Sequence, residues 1–315
     1  MQRLTRRLDD ERGATAVMFA LLLIPMLGFA AIAIDVGALY AERARLQVGA
    51  DAAAIAVAQD CSRGNCGDML ATAQGLISAN DTEGTAAQPV LSSDPLSVTV
   101  TGGTPQEHWF APVIGHDSTV VSATATVGWG SPSGGTAVLP LTFSWCSFVK
   151  QTGGGLPSGE TLQVIKLTKT DGAPECHSKS GNAIPGGFGF VRTESGTCEA
   201  TSRLGDLLDS DPGQSPSNGC VAADFASYLG RTVLLPIYDD AGGTGSNGWY
   251  RIYGYAAFKL TGYAFTGQFK SNPQPCTGNV RCVSGYFTRF VELSDVWNYS
   301  PDAPQMGSSI LRLIR

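Results

Sequence analysis

Charge is scarce in this chain. Only 15% of its 315 residues are Asp, Glu, Lys or Arg, against roughly 25% in an average soluble domain. Histidine is scarcer still, with His108, His116 and His177 the three present. No C-x-x-C occurs, and the adjacent pair Cys176-His177 lacks the ligand spacing of a zinc site. No metal and no cofactor are expected. With a net charge of −6 and no basic run beyond the N-terminal arginines, the electrostatic footprint of a nucleic-acid binder is missing.

Catalytic signatures are missing as well. G-x-S-x-G, H-E-x-x-H and the P-loop do not occur, and the G-x-G-x-x-G spelled by residues 243–248 falls in DDAGGTGSNG, which reads as a surface loop. Gly186-Gly187-Phe188-Gly189 is flanked by strand-like residues and reads as a turn. Asp206, Asp209, Asp211, Asp239 and Asp240 do not reproduce the spacing of a calcium loop and read as loop carboxylates. Glu160, Glu194 and Glu292 are too scattered to pair as acid and base. The sequence reads as a non-enzyme, with no catalytic residue and no small-molecule substrate identified.

The N-terminal region holds a strongly apolar, uncharged run, GATAVMFALLLIPMLGFAAIAI, 22 residues between Arg12 and Asp35. At about 1.5 Å per residue it spans roughly 33 Å as a helix, enough to cross a hydrocarbon core of about 30 Å. Arg3, Arg6, Arg7 and Arg12 precede it, while Arg43 and Arg45 follow. That bias puts the N-terminus in the cytoplasm and the bulk of the chain outside. A cleaved signal peptide is the rival reading, because Ala31-Ile32-Ala33 resembles an A-x-A site. Two features oppose it. The run exceeds the usual h-region of about 7–15 residues, and the helical pattern continues to Gln59 through an Ala-dense stretch. Pro25 predicts a kink. Asp35, at the edge of the run, reads as an interfacial carboxylate reaching headgroups or water, in preference to a polar contact with a partner helix. The small residues of the helix, among them Gly28, Gly37, Gly49 and Ala50, permit close helix packing.

Eight cysteines, an even count outside the membrane, predict disulfides. Cys61 with Cys66 and Cys276 with Cys282 flank short turn-like loops and suit local pairing. Cys198 and Cys220 enclose a Pro/Gly/Ser-rich loop, and Cys146 and Cys176 remain; the connectivity is open.

GDMLATAQGLISAN has the spacing of a short amphipathic helix. LSVTVTG and STVVSATATVGW then alternate apolar with Ser/Thr, as half-buried and antiparallel strands do, around the segment His108 to Gly115. SPSGG at 131–135 reads as a linker or tight crossover. From Val138 onward, β-branched and aromatic runs separated by Gly, Pro and Asn predict further strands. The late aromatics, from Trp249 to Phe290, read as core and cross-strand pairs; a sugar or peptide platform is the alternative. The expected fold class is α+β, a long N-terminal transmembrane helix followed by a β-rich, disulfide-braced extracytoplasmic region. The expected divisions are a cytoplasmic lead 1–12, the span and its extension 13–60, a small α/β region 61–130 and a β-rich domain 131–315.

Arg12-Gly13, Asp35-Val36-Gly37, Tyr40, Leu46-Gln47 and Ala50-Asp51-Ala52-Ala53-Ala54 recur at fixed spacing inside an otherwise generic helix. This pattern, from Arg12 to about Ala58, resembles TadE/TadG-like Flp (tight adherence) pilus-assembly proteins, closest to the TadG type. Pilin-like relatives cut by a prepilin peptidase carry a glutamate five residues after the glycine, where this chain has Met18. The D-x-S-x-S metal site of some TadG-like proteins is absent too. The resemblance implies a single-pass, membrane-anchored assembly component. Its partners would be the membrane, other pilus or secretion-apparatus membrane proteins, and copies of itself. Gly28, Asp35, Gly37, Tyr40, Ala50 and Asp51 are the helix-packing candidates. An exported adhesin or glycan- or protein-binding module is the alternative, with a secreted hydrolase the more distant one.

Overall fold

The computed structural model describes residues 11–167, 176–177, 181, 183–194, 196–216 and 219–314. Helix α1 runs unbroken over Glu11–Ser62, 52 residues, about 78 Å at the usual rise. The chain stays helical through Pro25. The helix has two characters. From Val17 to Ile34 its large side chains are all exposed, Phe29 at 74% and Ile24 at 73%. A stretch apolar on every side has no amphipathic face to give a soluble body. Beyond it, Leu46, Ala50, Ala53, Ala54, Val57 and Ala58 are fully buried. Their spacing places them on one helical face.

That face packs on helix α2 (Met69–Asn80) and on a long antiparallel hairpin, Leu96–Glu107 with Ser118–Ala137. Asp68 caps α2, its Oδ1 accepting from Ala71 N at 3.0 Å, which satisfies one of the orphan amides of the first turn. The disulfide Cys61–Cys66 staples the turn between the two helices. The hairpin forms the spine of the first sheet, in the order Thr85–Ala86, Leu96–Glu107, Ser118–Ala137, Ser308–Ile314, Phe290–Leu293. Val90–Ser93, Ala200–Arg203 and Asn298–Ser300 add at its flanks.

The second sheet is ordered Leu207–Asp211, Phe188–Val191, Leu141–Ser144, Thr232–Gly242, Trp249–Ala264, Cys282–Thr288, Gln163–Lys166. Leu207–Asp211 pairs with Trp249–Ala264 as well, so the first five strands close a ring of hydrogen bonds. Leu141–Ser144 and Thr232–Gly242 run parallel within it. Helix α3 (Trp145–Thr152) starts directly after the strand Leu141–Ser144, because Ser144 caps it, its Oγ accepting from Cys146 N at 3.1 Å. Phe143, Phe148, Phe188, Phe258, Phe265 and Phe287 fill the interior. Most of the late aromatics are thus core, with Tyr255, Phe258, Phe265 and Phe287 fully buried.

The two sheets share a contact layer of Leu234, Ile252, Tyr255, Ala257, Trp297 and Ile310. One expectation is corrected here. SPSGG is no linker, since Ser131–Gly135 lies within the strand Ser118–Ala137. The expected boundary at 130/131 therefore falls inside a strand, and the C-terminal Ser308–Ile314 returns to pair with Thr126–Gly130. Polar and small residues read as a break, but Trp297 lies against Gly135, where a Cβ would come 2.5 Å from its ring. The strand needs glycine there because an indole covers it. Alternation of burial along Ser118–Ala137 ends near Val127 for the same reason, because both faces are covered from there on.

Disulfides Cys198–Cys220 and Cys276–Cys282 brace the second sheet's periphery. Cys146 is disulfide-bonded too; the Cys176 side chain lies outside the described residues, as does residue 195. The architecture is α+β, one long apolar helix followed by a β-rich, disulfide-containing body.

Candidate functional site at the outer end of the apolar helix

The helix changes character at Asp35, the first charge after the uncharged run. Its carboxylate is 6% exposed. Oδ1 accepts from Trp109 N at 2.8 Å, and Oδ2 accepts from Ala111 N at 2.8 Å and from Phe110 N at 3.1 Å. Three successive backbone N–H groups converge on one carboxylate at the tip of the long hairpin, where charge-assisted hydrogen bonds are the strong kind. Asp35, which the sequence offered as an interfacial carboxylate, is engaged within the chain, as the tether of the loop at the hairpin tip. His108 flanks the tether; its Nε2 shares a hydrogen bond with Thr119 Oγ1 at 2.8 Å.

About three turns further along the helix, the Leu46-Gln47 and Ala50-Asp51 elements of the motif act together. Gln47 Nε2 donates to Asp51 Oδ1 at 2.8 Å, one helical turn away, and to Thr124 O of the hairpin at 3.2 Å. Ala50 is fully buried beside them. At Gly49 the helices approach closely, for an added Cβ would stand 3.2 Å from Ile77 Cα. Ile77 is also met by Gly84 and Gly102, whose Cβ atoms would come within 2.8 and 2.9 Å of its side chain. A fully buried isoleucine thus sits in a socket of three glycines.

Glu42 is 7% exposed and faces Asp81 as well as Arg45, whose Nη1 lies 3.3 Å from Glu42 Oε2. Burial pushes its carboxyl above the ordinary value, the neighbouring Asp81 adds to that, and Arg45 opposes it. Glu42 Oε1 and Asp81 Oδ2 are buried without a hydrogen-bond partner.

Of the helix-packing candidates, Asp35, Ala50 and Asp51 are engaged within the chain. Gly28 and Gly37 have open space where a Cβ would stand, and Tyr40 is 71% exposed. The tether residues Trp109, Phe110 and Ala111 were not singled out from sequence; the signal was an apolar H-W-F-A-P-V-I-G loop between Ser/Thr-rich strands.

Among the described residues, the metal-ligand types that gather are Cys198, Cys220 and Asp224. The two sulfurs are bonded to each other, and Asp224 Oδ2 accepts from Val221 N at 2.7 Å. These atoms are already committed to a disulfide and a helix cap. A cleft of about 540 Å³ opens beside the Cys61–Cys66 turn, lined by Trp129, Arg63 and Arg289. Arg63 pairs with Asp60 and Arg289 Nε donates to Pro157 O, so neither cation is aimed at a reacting centre.

A helix exposed and apolar along its first half, then clamped by its own hairpin and disulfide into a β-rich body, is the one candidate membrane span among the described residues. Residues 13–60 match the Tad family model, described as "Putative Flp pilus-assembly TadE/G-like". The matched segment holds the apolar run and the collar just described, and it coincides with the motif resemblance. The family description joins the TadE and TadG types without separating them. No curated protein and no solved structure matches the chain.

Proposed function

We propose that this protein is a single-span structural component of a Flp-type pilus-assembly apparatus or a related secretion machine. Its N-terminus lies in the cytoplasm and its β-rich body outside. The pilus-assembly role follows from the family of residues 13–60. The observation that carries the anchor is the exposure of every large side chain from Val17 to Ile34 on a helix continuous with the folded body. Left in water, such a surface far exceeds the apolar patches of soluble monomers. The flanking arginines support the orientation, and disulfides fit an oxidising compartment. Partners would pack on the free faces bearing Gly28, Gly37 and Tyr40, and on the ectodomain.

Intact mass and fractionation of the native protein, non-reduced and with thiol labelling, test this reading. The expected result is full-length chain in the membrane fraction with no reactive thiol. A soluble species beginning after Ala33 overturns the anchor and favours the exported adhesin.

A further inference from the structure

We propose that the hairpin tip His108–Gly115 is a second membrane contact, a wedge seated in the headgroup–acyl boundary of the leaflet that α1 leaves. This rests on the reading of residues 13–34 as a membrane span.

Four observations carry it. The first is composition. Between His108 and His116 the chain reads W-F-A-P-V-I-G with no charge. Its side chains face out, Trp109 being 75% exposed, Val113 90% and Ile114 76%. Exposed apolar clusters of this kind mark an interaction surface.

The second is place. The Asp35 tether fixes the loop at the level where the uncharged run ends. Ile32, Ile34 and Val36, the neighbours of Asp35 along the helix, are themselves exposed. Indoles concentrate at this depth in membrane proteins.

The third is the backbone. Irregular chain enters a low-dielectric layer only when its polar groups are satisfied. Here the amides of Trp109, Phe110 and Ala111 are spent on Asp35. Val113 N donates to Phe110 O, Gly115 N to Pro112 O and His116 N to Ala111 O. Residue 112 is proline and has no N–H. A water-exposed loop has no need of this economy.

The fourth is the rim. His108, His116 and Asp117 flank the apolar segment, and His108 N donates to Asp117 O, closing the loop's neck with polar groups that would stand in the headgroup zone.

The test is quenching of tryptophan emission in the full-length chain, reconstituted in phosphatidylcholine vesicles with or without bromine on the acyl chains. The wild type is compared with Trp109→Phe, and Phe29→Trp in the Trp109→Phe background reports the span. Bromine-dependent loss of emission in the wild type that disappears in Trp109→Phe supports the wedge. Quenching at position 29 with none at Trp109 overturns the wedge alone, leaves the span intact and turns the loop over to a protein partner. Quenching at neither position overturns the wedge and the span together. A companion variant, Val113→Asp/Ile114→Asp, alters only exposed side chains; it is expected to abolish the Trp109 signal while keeping that of position 29, and an unchanged Trp109 signal overturns the proposal.

Discussion

Asp35 and Trp109 stand 74 residues apart in the chain and are joined by a 2.8 Å hydrogen bond from the Trp109 amide to Oδ1. With Phe110 and Ala111 donating to the same carboxylate, the outer end of the apolar helix and the tip of the long hairpin behave as one piece. Asp35→Ala is expected to free the three amides while the buried contacts of Leu46 to Ala58 persist. Hydrogen exchange should accelerate at residues 109–111 and stay slow in the Leu96–Glu107 strand. Asp35→Asn should fall between, since one oxygen still accepts but the amide NH₂ faces donors. Unchanged exchange at 109–111 in Asp35→Ala would show that the tether does not hold the loop.

Ile77 among Gly49, Gly84 and Gly102 makes the joint between α1, α2 and the hairpin sensitive to volume in both directions. Ile77→Ala should lower stability by about 2–5 kcal/mol, the range for emptying a filled core site. Gly102→Val should destabilise too, by about 1–3 kcal/mol, through overpacking. Combining the two should recover part of the loss if the residues share one space. Strictly additive melting-temperature shifts would count against a shared socket.

Tyr255 is fully buried between the sheets, and its hydroxyl shares a 2.8 Å hydrogen bond with Ser202 Oγ. Tyr255→Phe strands a buried Ser202 hydroxyl and should cost about 1–3 kcal/mol. The double variant Tyr255→Phe/Ser202→Ala removes both polar groups and should regain part of that loss. Denaturant midpoints of the three proteins decide the matter, and a double variant no better than the single would show that the pair is not coupled.

Glu42 gives the joint a pH dependence of definite sign. Its pKa is raised in the folded state, by burial first and by Asp81 second, with Arg45 opposing. At low pH the folded and unfolded chains both hold the proton. As pH climbs past the ordinary glutamate range the unfolded chain releases it first, so stability falls until the folded state ionises as well. Glu42→Gln should flatten that fall and be the more stable protein at neutral pH. Melting temperature against pH for the two proteins checks it; parallel curves would remove Glu42 from the account.

The disulfides are not equivalent. Cys198–Cys220 closes a loop with a sequence separation of 22, whereas Cys61–Cys66 and Cys276–Cys282 span 5 and 6. On the loop-entropy account the first contributes about 3 kcal/mol and the short ones less. Cys198→Ser/Cys220→Ser should therefore lower the melting temperature more than Cys276→Ser/Cys282→Ser. The reverse order would place the stabilisation in local packing instead.

Much was legible without coordinates wherever the signal is local. The uncharged run from Gly13 to Ile34, the Ala-rich continuation to Gln59, α2 and the antiparallel hairpin follow from periodicity and composition, and they formed as elements, the first helix ending at Ser62. Short Cys–Cys loops at 61–66 and 276–282 were legible for the same reason. SPSGG misled because small polar residues signal a break only when nothing covers them, and Trp297, 162 positions beyond Gly135, does.

Sequence by itself determined that residues 13–34 are long and apolar enough to cross a bilayer as a helix, that much of the remainder is β-rich and cystine-bearing, and that residues 13–60 bear the Tad pattern. Tertiary structure alone decided which partner each motif residue serves. Asp35 spends its charge on amides at positions 109–111, Gln47 donates both to Asp51 and to the Thr124 carbonyl, and Gly49 makes room for Ile77. The physical reason is that helix periodicity tells which face a residue occupies, whereas the identity of what lies against that face is set by contacts between distant parts of the chain, which leave no spacing in the sequence to be read.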